Sequence, residues 1–196
     1  MLVIKMTTLC FVRHGRTIAN IQMRIQGQID NPLSDEGRKD PVIVSEMINK
    51  TDLNFDLIIS SPLSRAIDTA NIIKENVPSL KNKEIIINPL FIEREFGAAE
   101  GEPITEENYR KVMTEDFDGI EKGIDLCKRT LEGVNYLLEK YPNKTILVVC
   151  HSHVIKSIFL QFDNNVHFDT KFGHHNINIL KFNGNKTLDC KFNICL

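Results

Sequence analysis

No stretch of this chain carries the roughly 18 consecutive apolar residues that a membrane-spanning helix needs, so no span is expected. An excess of charge is missing as well. Against 26 acidic side chains stand 24 basic ones, and the net charge of −2 argues against a general nucleic-acid footprint while leaving room for a local basic pocket. No two cysteines are spaced C-x-x-C. Cys10, Cys127, Cys150, Cys190 and Cys195 are odd in number and scattered, which points to free thiols in a reducing, cytoplasmic compartment rather than to a disulfide framework. Met1-Leu2-Val3-Ile4-Lys5-Met6 is too short for a signal peptide and has no small-residue cleavage site. Internal repeats and low-complexity segments are lacking too. What remains is an ordinary globular composition, 42% apolar and 26% charged. At 196 residues one domain is the default, large enough to bury roughly two-thirds or more of its unfolded surface.

Gly, Pro, Asn and Asp divide the chain into alternating strands and helices. Thr8-Leu9-Cys10-Phe11-Val12 has the length and the β-branched and aromatic content of a short buried strand. Gly15 follows it, where the backbone can turn tightly, and Thr17-Ile18-Ala19-Asn20 opens a helical turn. Residues 24–33 read as a loop. Ser34 has the character of an N-cap, with Asp35 and Glu36 in the first turn of a helix that runs to about Lys50. Pro41 within that span would remove a hydrogen bond, so the helix is expected to break or to start late. Asp56 to Ser60 is a second strand. The helix after Ser61-Pro62-Leu63-Ser64-Arg65 places Ala66, Ile67, Ala70, Ile73 and Val77 at helical spacing toward the core. Glu84 to Ile87 is a third strand, and helices over 103–117 and 121–141 meet around Gly119. Thr145 to Cys150 is the clearest buried strand; it ends directly on His151 and leads into a helix from about Val154 to Phe162. Asn176 to Phe182 and Leu188 to Ile194 alternate like a closing antiparallel pair. The whole is an α/β pattern with a layered, largely parallel sheet.

The polar residues fall where such a sheet does its chemistry, at the carboxyl ends of strands. Arg13 and His14 follow one strand, Arg65 follows another by a helical turn, and His151 follows a third. A guanidinium suits planar recognition of phosphate oxygens. An imidazole beside it can serve as general base, metal ligand or nucleophile. Three other constellations compete. Cys10-x5-Arg16 matches the loop spacing of cysteine-dependent phosphatases, but Phe11 and Val12 are strand residues where that loop must cradle phosphate, so Cys10 reads as packed. His151-x-His153 and His174-His175 raise zinc, yet neither pair has Cys or carboxylate at ligand spacing. Cys150 ends an apolar run and reads as a buried, inert thiol.

Five motifs occur in order: Arg13-His14-Gly15-Arg16-Thr17 with Asn20; Arg24, Gln26-Gly27 and Pro32-Leu33-Ser34 with Gly37; Ser60-Ser61-Pro62-Leu63-Ser64-Arg65-Ala66 with Thr69-Ala70; Glu93-Arg94-Glu95-Phe96-Gly97 with Glu100-Gly101; and Val149-Cys150-His151. Together they resemble the signature of the histidine phosphatase superfamily, the phosphoglycerate-mutase-like proteins, in its short phosphatase branch. The resemblance implies a three-layer α/β/α fold with a mostly parallel central sheet, formed by a single domain over residues 1–196 with a small cap at about 102–125. It makes His14 the nucleophile, surrounds the phosphoryl group with Arg13, Arg65 and His151, and gives Glu93 the acid–base role. Asn20, Gln26, Gly27 and Ser152 would bind substrate. Arg94 contacts substrate in some relatives, and a surface salt bridge is the equal alternative. Arg65 has a plainer reading too, pairing with Asp68 or Glu75, and Glu95 competes with Glu93. No metal and no cofactor is implied, because fixed guanidinium and imidazolium groups supply the positive charge.

The function so implied is a metal-independent phosphomonoesterase that works through a phosphohistidine on a small soluble phosphoester and releases inorganic phosphate, with no nucleic-acid or membrane partner. A phosphoglycerate-type mutase and a catalytically silent regulator that binds phospho-ligands are the alternatives. Only 57 residues separate Glu93 from His151, which favours a short lid and hydrolysis over a mutase that shields its intermediate. Three departures from the family pattern bear on specificity: Ala99 where many relatives have Trp, Ser152-His153 in place of Gly-Gly, and Pro41 in the first long helix. Ala99 is expected to open one wall of the pocket.

Overall fold

The computed structural model describes residues 6–195; Met1–Lys5, which were read for a leader, lie outside it. One six-stranded sheet runs through the molecule. Its strands are β1 (Thr7–Arg13), β2 (Leu57–Ser60), β3 (Ile85–Ile87), β4 (Thr145–Cys150), β5 (Ile177–Asn183) and β6 (Lys186–Ile194), in the spatial order β3-β2-β4-β1-β5-β6. The first four are mutually parallel, and β5 and β6 close the sheet antiparallel at one edge.

Period-two alternation along the central strands feeds two cores, as strands buried on both faces require. From β1, Leu9 and Phe11 face one side and Cys10 and Val12 the other; from β4, Ile146, Val148 and Cys150 oppose Leu147 and Val149 in the same way. The first side is covered by α5 (Gly123–Lys140) and α6 (Ser152–Phe159), through Leu126, Val134, Leu137, Val154, Ile155, Ile158 and Phe159. The second is covered by α2 (Asp40–Asn49) and α3 (Ser64–Asn76), through Val44, Ile48, Ala66, Ala70 and Ile73. Phe11 is clasped edge-on by Phe91 and Phe159, with ring centroids 6.3 and 5.9 Å away. Each such pair is worth about 0.5–1.5 kcal/mol beyond its buried area. A third, smaller cluster of Ile25, Phe96, Ala99, Val112 and Ile120 sits beyond the strand ends. The two remaining helices, α1 (Ile18–Ile21) and α4 (Glu106–Met113), lie near the same end of the sheet.

Several boundaries differ from the sequence reading. A 3-10 turn over Gly37–Lys39 precedes α2, and Pro41 falls in the first turn of α2, where its missing N–H has no intrahelical partner to lose. Ser34 Oγ accepts the Gly37 N–H at 3.0 Å and so caps that turn. Ile67 is only half-buried; the inner stripe of α3 is Arg65, Ala66, Thr69, Ala70 and Ile73. Of the span 103–117 only α4 is helical, begun by the Thr105 side chain accepting from Asn108 N. Helix α6 starts at Ser152, two residues early, because β4 passes into it through His151 with no loop between. The five cysteines are free, and no helix among the described residues is long and apolar enough to cross a membrane.

Candidate active site

The carboxyl ends of β1, β2 and β4 bring the separated motifs together. The His14 N–H continues the ladder, donating to the Cys150 carbonyl at 3.0 Å, and the Ser61 N–H donates to Val149 at 3.0 Å. At Gly15 the backbone passes so close to Gly37 that a Cβ would run into the Gly37 carbonyl oxygen. That glycine's N–H is taken by Thr69 Oγ1 at 3.0 Å.

His14 is 3% exposed and its Nδ1 lies 2.7 Å from the Gly15 carbonyl. A carbonyl only accepts, so Nδ1 carries the proton and Nε2 keeps its lone pair. Burial, with His151, Arg65 and Arg13 close by, holds the imidazole well below its ordinary pKa, so it is neutral at neutral pH. The ring of His151 stands 5.1 Å from that of His14, centroid to centroid. His151 is fully buried, with Nε2 2.7 Å from Ser61 Oγ. Arg13 donates through Nη1 to the Phe172 carbonyl at 3.0 Å, and burial lowers its pKa to about 10, which leaves it charged at neutral pH. Arg65 is anchored by the carbonyls of Ile29 at 2.8 Å and Gly27 at 2.6 Å rather than by Asp68, which pairs with Arg38. Glu93 is buried and its Oε1 accepts the Arg94 N–H at 2.9 Å; burial raises its carboxyl above the usual range despite Arg65 and Arg13.

Among the described residues, the buried side-chain nitrogens without a partner are Arg13 Nε, Arg65 Nε and His151 Nδ1. All three belong to the groups gathered around His14. Unsatisfied buried polar atoms each cost about 1–3 kcal/mol, so their concentration here suits an anion rich in acceptors. A cavity of about 200 Å³ opens beside them, lined by Arg13, His14, Asn20, Gln26, Gly27, Arg65, Glu93 and Ser152 on one side. Asn20 enters it from a capping box on α1: Oδ1 accepts the Thr17 N–H at 3.0 Å, leaving the amide Nδ2 as donor. Gln26 Oε1 accepts from Thr17 Oγ1 at 2.7 Å. Gly27 sits at φ +54°, in the left-handed region that glycine enters without strain, and this turn aims its carbonyl at Arg65.

Arg94 does not join them. Its guanidinium is buried, donating to Glu115 Oε1 at 2.9 Å and to the Glu121 carbonyl at 2.8 Å, between the rings of Phe96 and Phe168. The pairing is therefore with a carboxylate, but inside the protein rather than on its surface. Ala99 also departs from expectation: it is fully buried in the small cluster, and Phe96 and Val112 line the cavity instead. The two histidine pairs weighed for zinc are split between partners. His174 Nδ1 donates to the His14 carbonyl at 2.7 Å, while His175 Nε2 meets Asp40 Oδ1 at 2.7 Å. No three His, Cys, Asp or Glu gather as metal ligands among the described residues.

Three supports were not legible in the sequence. Asp40, with a fully buried side chain, accepts the Arg16 N–H at 2.8 Å, Nε at 2.9 Å and Nη2 at 2.8 Å, and so fixes the backbone two residues past His14. Arg129 donates to the carbonyls of Leu90, Ile92 and Glu93 at 2.9, 2.9 and 3.1 Å and pairs with Glu121, holding the segment that presents Glu93. His174 is the third; burial beside Arg13 pushes it down to about 3, so it stays a neutral donor to His14. Asp40 lies in a run of surface-type charges and Arg129 on an ordinary amphipathic helix, so neither carries a local signal.

A neutral histidine between fixed cations, with a buried carboxyl and orphaned donors opposite, defines a phosphoryl-transfer site built on an α/β sheet. Comparison with known proteins agrees. The model of the histidine phosphatase superfamily (branch 1) matches residues 9–192, and the chain belongs to that family; it is a phosphatase. It is 34% identical to PhoE, an uncharacterized phosphatase of Bacillus subtilis, over 80% of this chain and 77% of that one. A metal-independent phosphoserine phosphatase of Arabidopsis thaliana is 30% identical over 80% of this chain and 69% of its own length. Among solved structures, phosphoserine phosphatase from Entamoeba histolytica in complex with 3-phosphoglyceric acid superposes with a TM-score of 0.79 at 28% identity, covering 96% of this chain and 98% of that one.

Proposed function

We propose that the protein is a metal-independent phosphomonoesterase that acts on a small phosphorylated ester through a phosphohistidine. The lone pair of His14 Nε2 attacks phosphorus in line. The P–O bond to the leaving group breaks, and the Glu93 carboxyl gives its proton to the departing oxygen. Glu93, now a carboxylate, takes a proton from water; that oxygen attacks the phosphohistidine, the P–N bond breaks, and inorganic phosphate leaves. Arg13, Arg65, His151 and the Asn20 amide stabilise the charge on the equatorial oxygens in both steps. Gln26, Gly27 and Ser152 shape the rest of the phosphoryl subsite. The observation that carries this reading is the 2.7 Å anchor of His14 Nδ1 on Gly15, which leaves Nε2 unprotonated beside two cations.

Relatives named for phosphoserine, or bound to 3-phosphoglycerate, support a small phosphorylated substrate. The 57 residues between Glu93 and His151 support hydrolysis over a mutase. The family match over 9–192 supports one domain, and Ile104, Tyr109 and Val112 at the cavity support a cap within 102–125. Five free thiols support a reducing, cytoplasmic setting. Phosphate release from p-nitrophenyl phosphate in EDTA, wild type beside His14→Ala, tests the mechanism. Turnover that resists EDTA and vanishes in the variant is expected; activity surviving in His14→Ala would overturn it.

A further inference from the structure

Glu100 closes the fourth motif and takes no part in the steps above. A 3-10 turn over Gly97–Ala99 delivers it to the loop that carries Gln26 and Gly27. The two segments are laced together: the Ile25 N–H donates to the Glu102 carbonyl at 2.9 Å, and the Gly101 N–H to the Ile25 carbonyl at 2.7 Å. There the half-buried Glu100 carboxylate accepts three backbone N–H groups. Its Oε1 takes Gln28 at 2.9 Å and Phe96 at 3.0 Å, and its Oε2 takes Ile29 at 3.0 Å. It lies so close to Gly27 that a Cβ there would fall on Oε1. Gln28 in turn donates through Nε2 to the Glu93 carbonyl at 3.1 Å.

The same loop holds Arg65. The Gly27 carbonyl and the Gln28 N–H are two ends of one planar trans peptide unit and point in opposite directions. Arg65 Nη2 donates to that carbonyl at 2.6 Å while Glu100 accepts the N–H. A guanidinium and a carboxylate are thus joined through a single amide, whose two hydrogen bonds polarise one another. In keeping with this, the bond to Gly27 is shorter than the 2.8 Å bond from Nη1 to Ile29. Burial lowers the Arg65 pKa, and Glu93, Asp30 and Glu100 are the carboxylates that oppose the shift. Asp30 is spent on the Ser64 N–H and hydroxyl, both at 2.8 Å, and Glu93 carries the proton it transfers, which leaves Glu100 as the standing counter-charge. With Nη1 and Nη2 turned to carbonyls, Nε is the Arg65 edge without a partner. Resting on the phosphatase reading above, we infer that Glu100 is a positioning residue for Arg65: through the Gly27–Gln28 amide it fixes the guanidinium so that Nε meets a phosphoryl oxygen.

A carboxylate that merely stapled the loop would act independently of Arg65, so the test is a double-mutant cycle. Wild type, Glu100→Gln, Arg65→Lys and the double variant are compared in kcat/KM for p-nitrophenyl phosphate in EDTA. The same cycle is read in the Kd for orthovanadate, measured without EDTA, so that it closes even where Arg65→Lys turns over too slowly. Glutamine keeps the size and one oxygen of Glu100 but removes the charge and sets an amide NH2 against a backbone N–H. Glu100→Gln alone should lower kcat/KM and vanadate affinity roughly 10- to 100-fold, the worth of a hydrogen bond to a charged group. With Arg65→Lys, where no guanidinium spans the Gly27 and Ile29 carbonyls, the same change should cost no more than about 2-fold. An equal loss in both backgrounds, as a loosened loop or a smaller folded fraction would give, overturns the inference and leaves the phosphatase reading intact, and so does no loss in Glu100→Gln. Absence of phosphate release by the wild type overturns both.

Discussion

Replacing Asp40 by Asn should cost stability in a way that identifies its cause. The carboxylate has no exposed surface and accepts four hydrogen bonds, three from Arg16 and one from His175. Burial opposes its ionisation, but the Arg16 guanidinium and N–H and the His175 ring outweigh that and lower its pKa from 3.8 to about 2. A native pKa lowered by nearly two units, at roughly 1.4 kcal/mol per unit, stabilises the fold by roughly 2–3 kcal/mol at pH 7. The sign follows from the depression. The contribution is complete above the unfolded-state value and fades as pH falls toward the native one; with these values most of it remains at pH 4 and about half at pH 3. For a chain of this length Asp40→Asn should lower Tm by roughly 5–10 °C at pH 7. Urea titrations of wild type and variant from pH 7 down to pH 3 measure the gap directly. A gap that is absent at pH 7, or that stays constant down to pH 3, would refute the account of Asp40 as a buried, ionised anchor of the Arg16 backbone.

Glu93→Gln should lower turnover of alkyl phosphates by about 10²–10⁴-fold, and much less for p-nitrophenyl phosphate, whose leaving group needs no proton. In the wild type, alkyl-ester turnover should fall as pH rises through the elevated Glu93 pKa, because the proton donor is lost; a basic limb that persists unchanged in the Glu93→Gln variant would assign it to another group. Arg129→Met removes the donors to three carbonyls and strands Glu121. Lost charged hydrogen bonds of about 1.5–3 kcal/mol should lower Tm by several degrees, and kcat should fall while KM changes little, since Glu93 is misplaced and the phosphate subsite is not. Equal kcat in the two proteins would show that Arg129 does not position Glu93.

Much of the molecule was determined locally and could be read in order. Strand content sits in β-branched and aromatic runs, Pro41 marks a late helix start, and the polar residues at the ends of β1, β2 and β4 announce a shared edge, because successive parallel strands must deliver their carboxyl ends to one side. Arg13, His14, Arg65 and His151 were legible for that reason, whereas Glu93 was legible only through the family resemblance of its motif. Arg94 was not, since nothing in Glu93-Arg94-Glu95 says whether a guanidinium turns toward the cavity or toward Glu115, 21 residues away. Likewise the identical neighbours His174 and His175 take different duties, one on the His14 carbonyl and one on Asp40, because the chain past Phe172 runs alongside the turn that follows β1. Sequence by itself determined the residue types and the strand ends that carry the chemistry. Tertiary packing alone decided which nitrogen of His14 keeps its lone pair, which carboxyl is desolvated and which arginines are held by carbonyls rather than carboxylates, because those properties arise from burial and from partners remote in the chain.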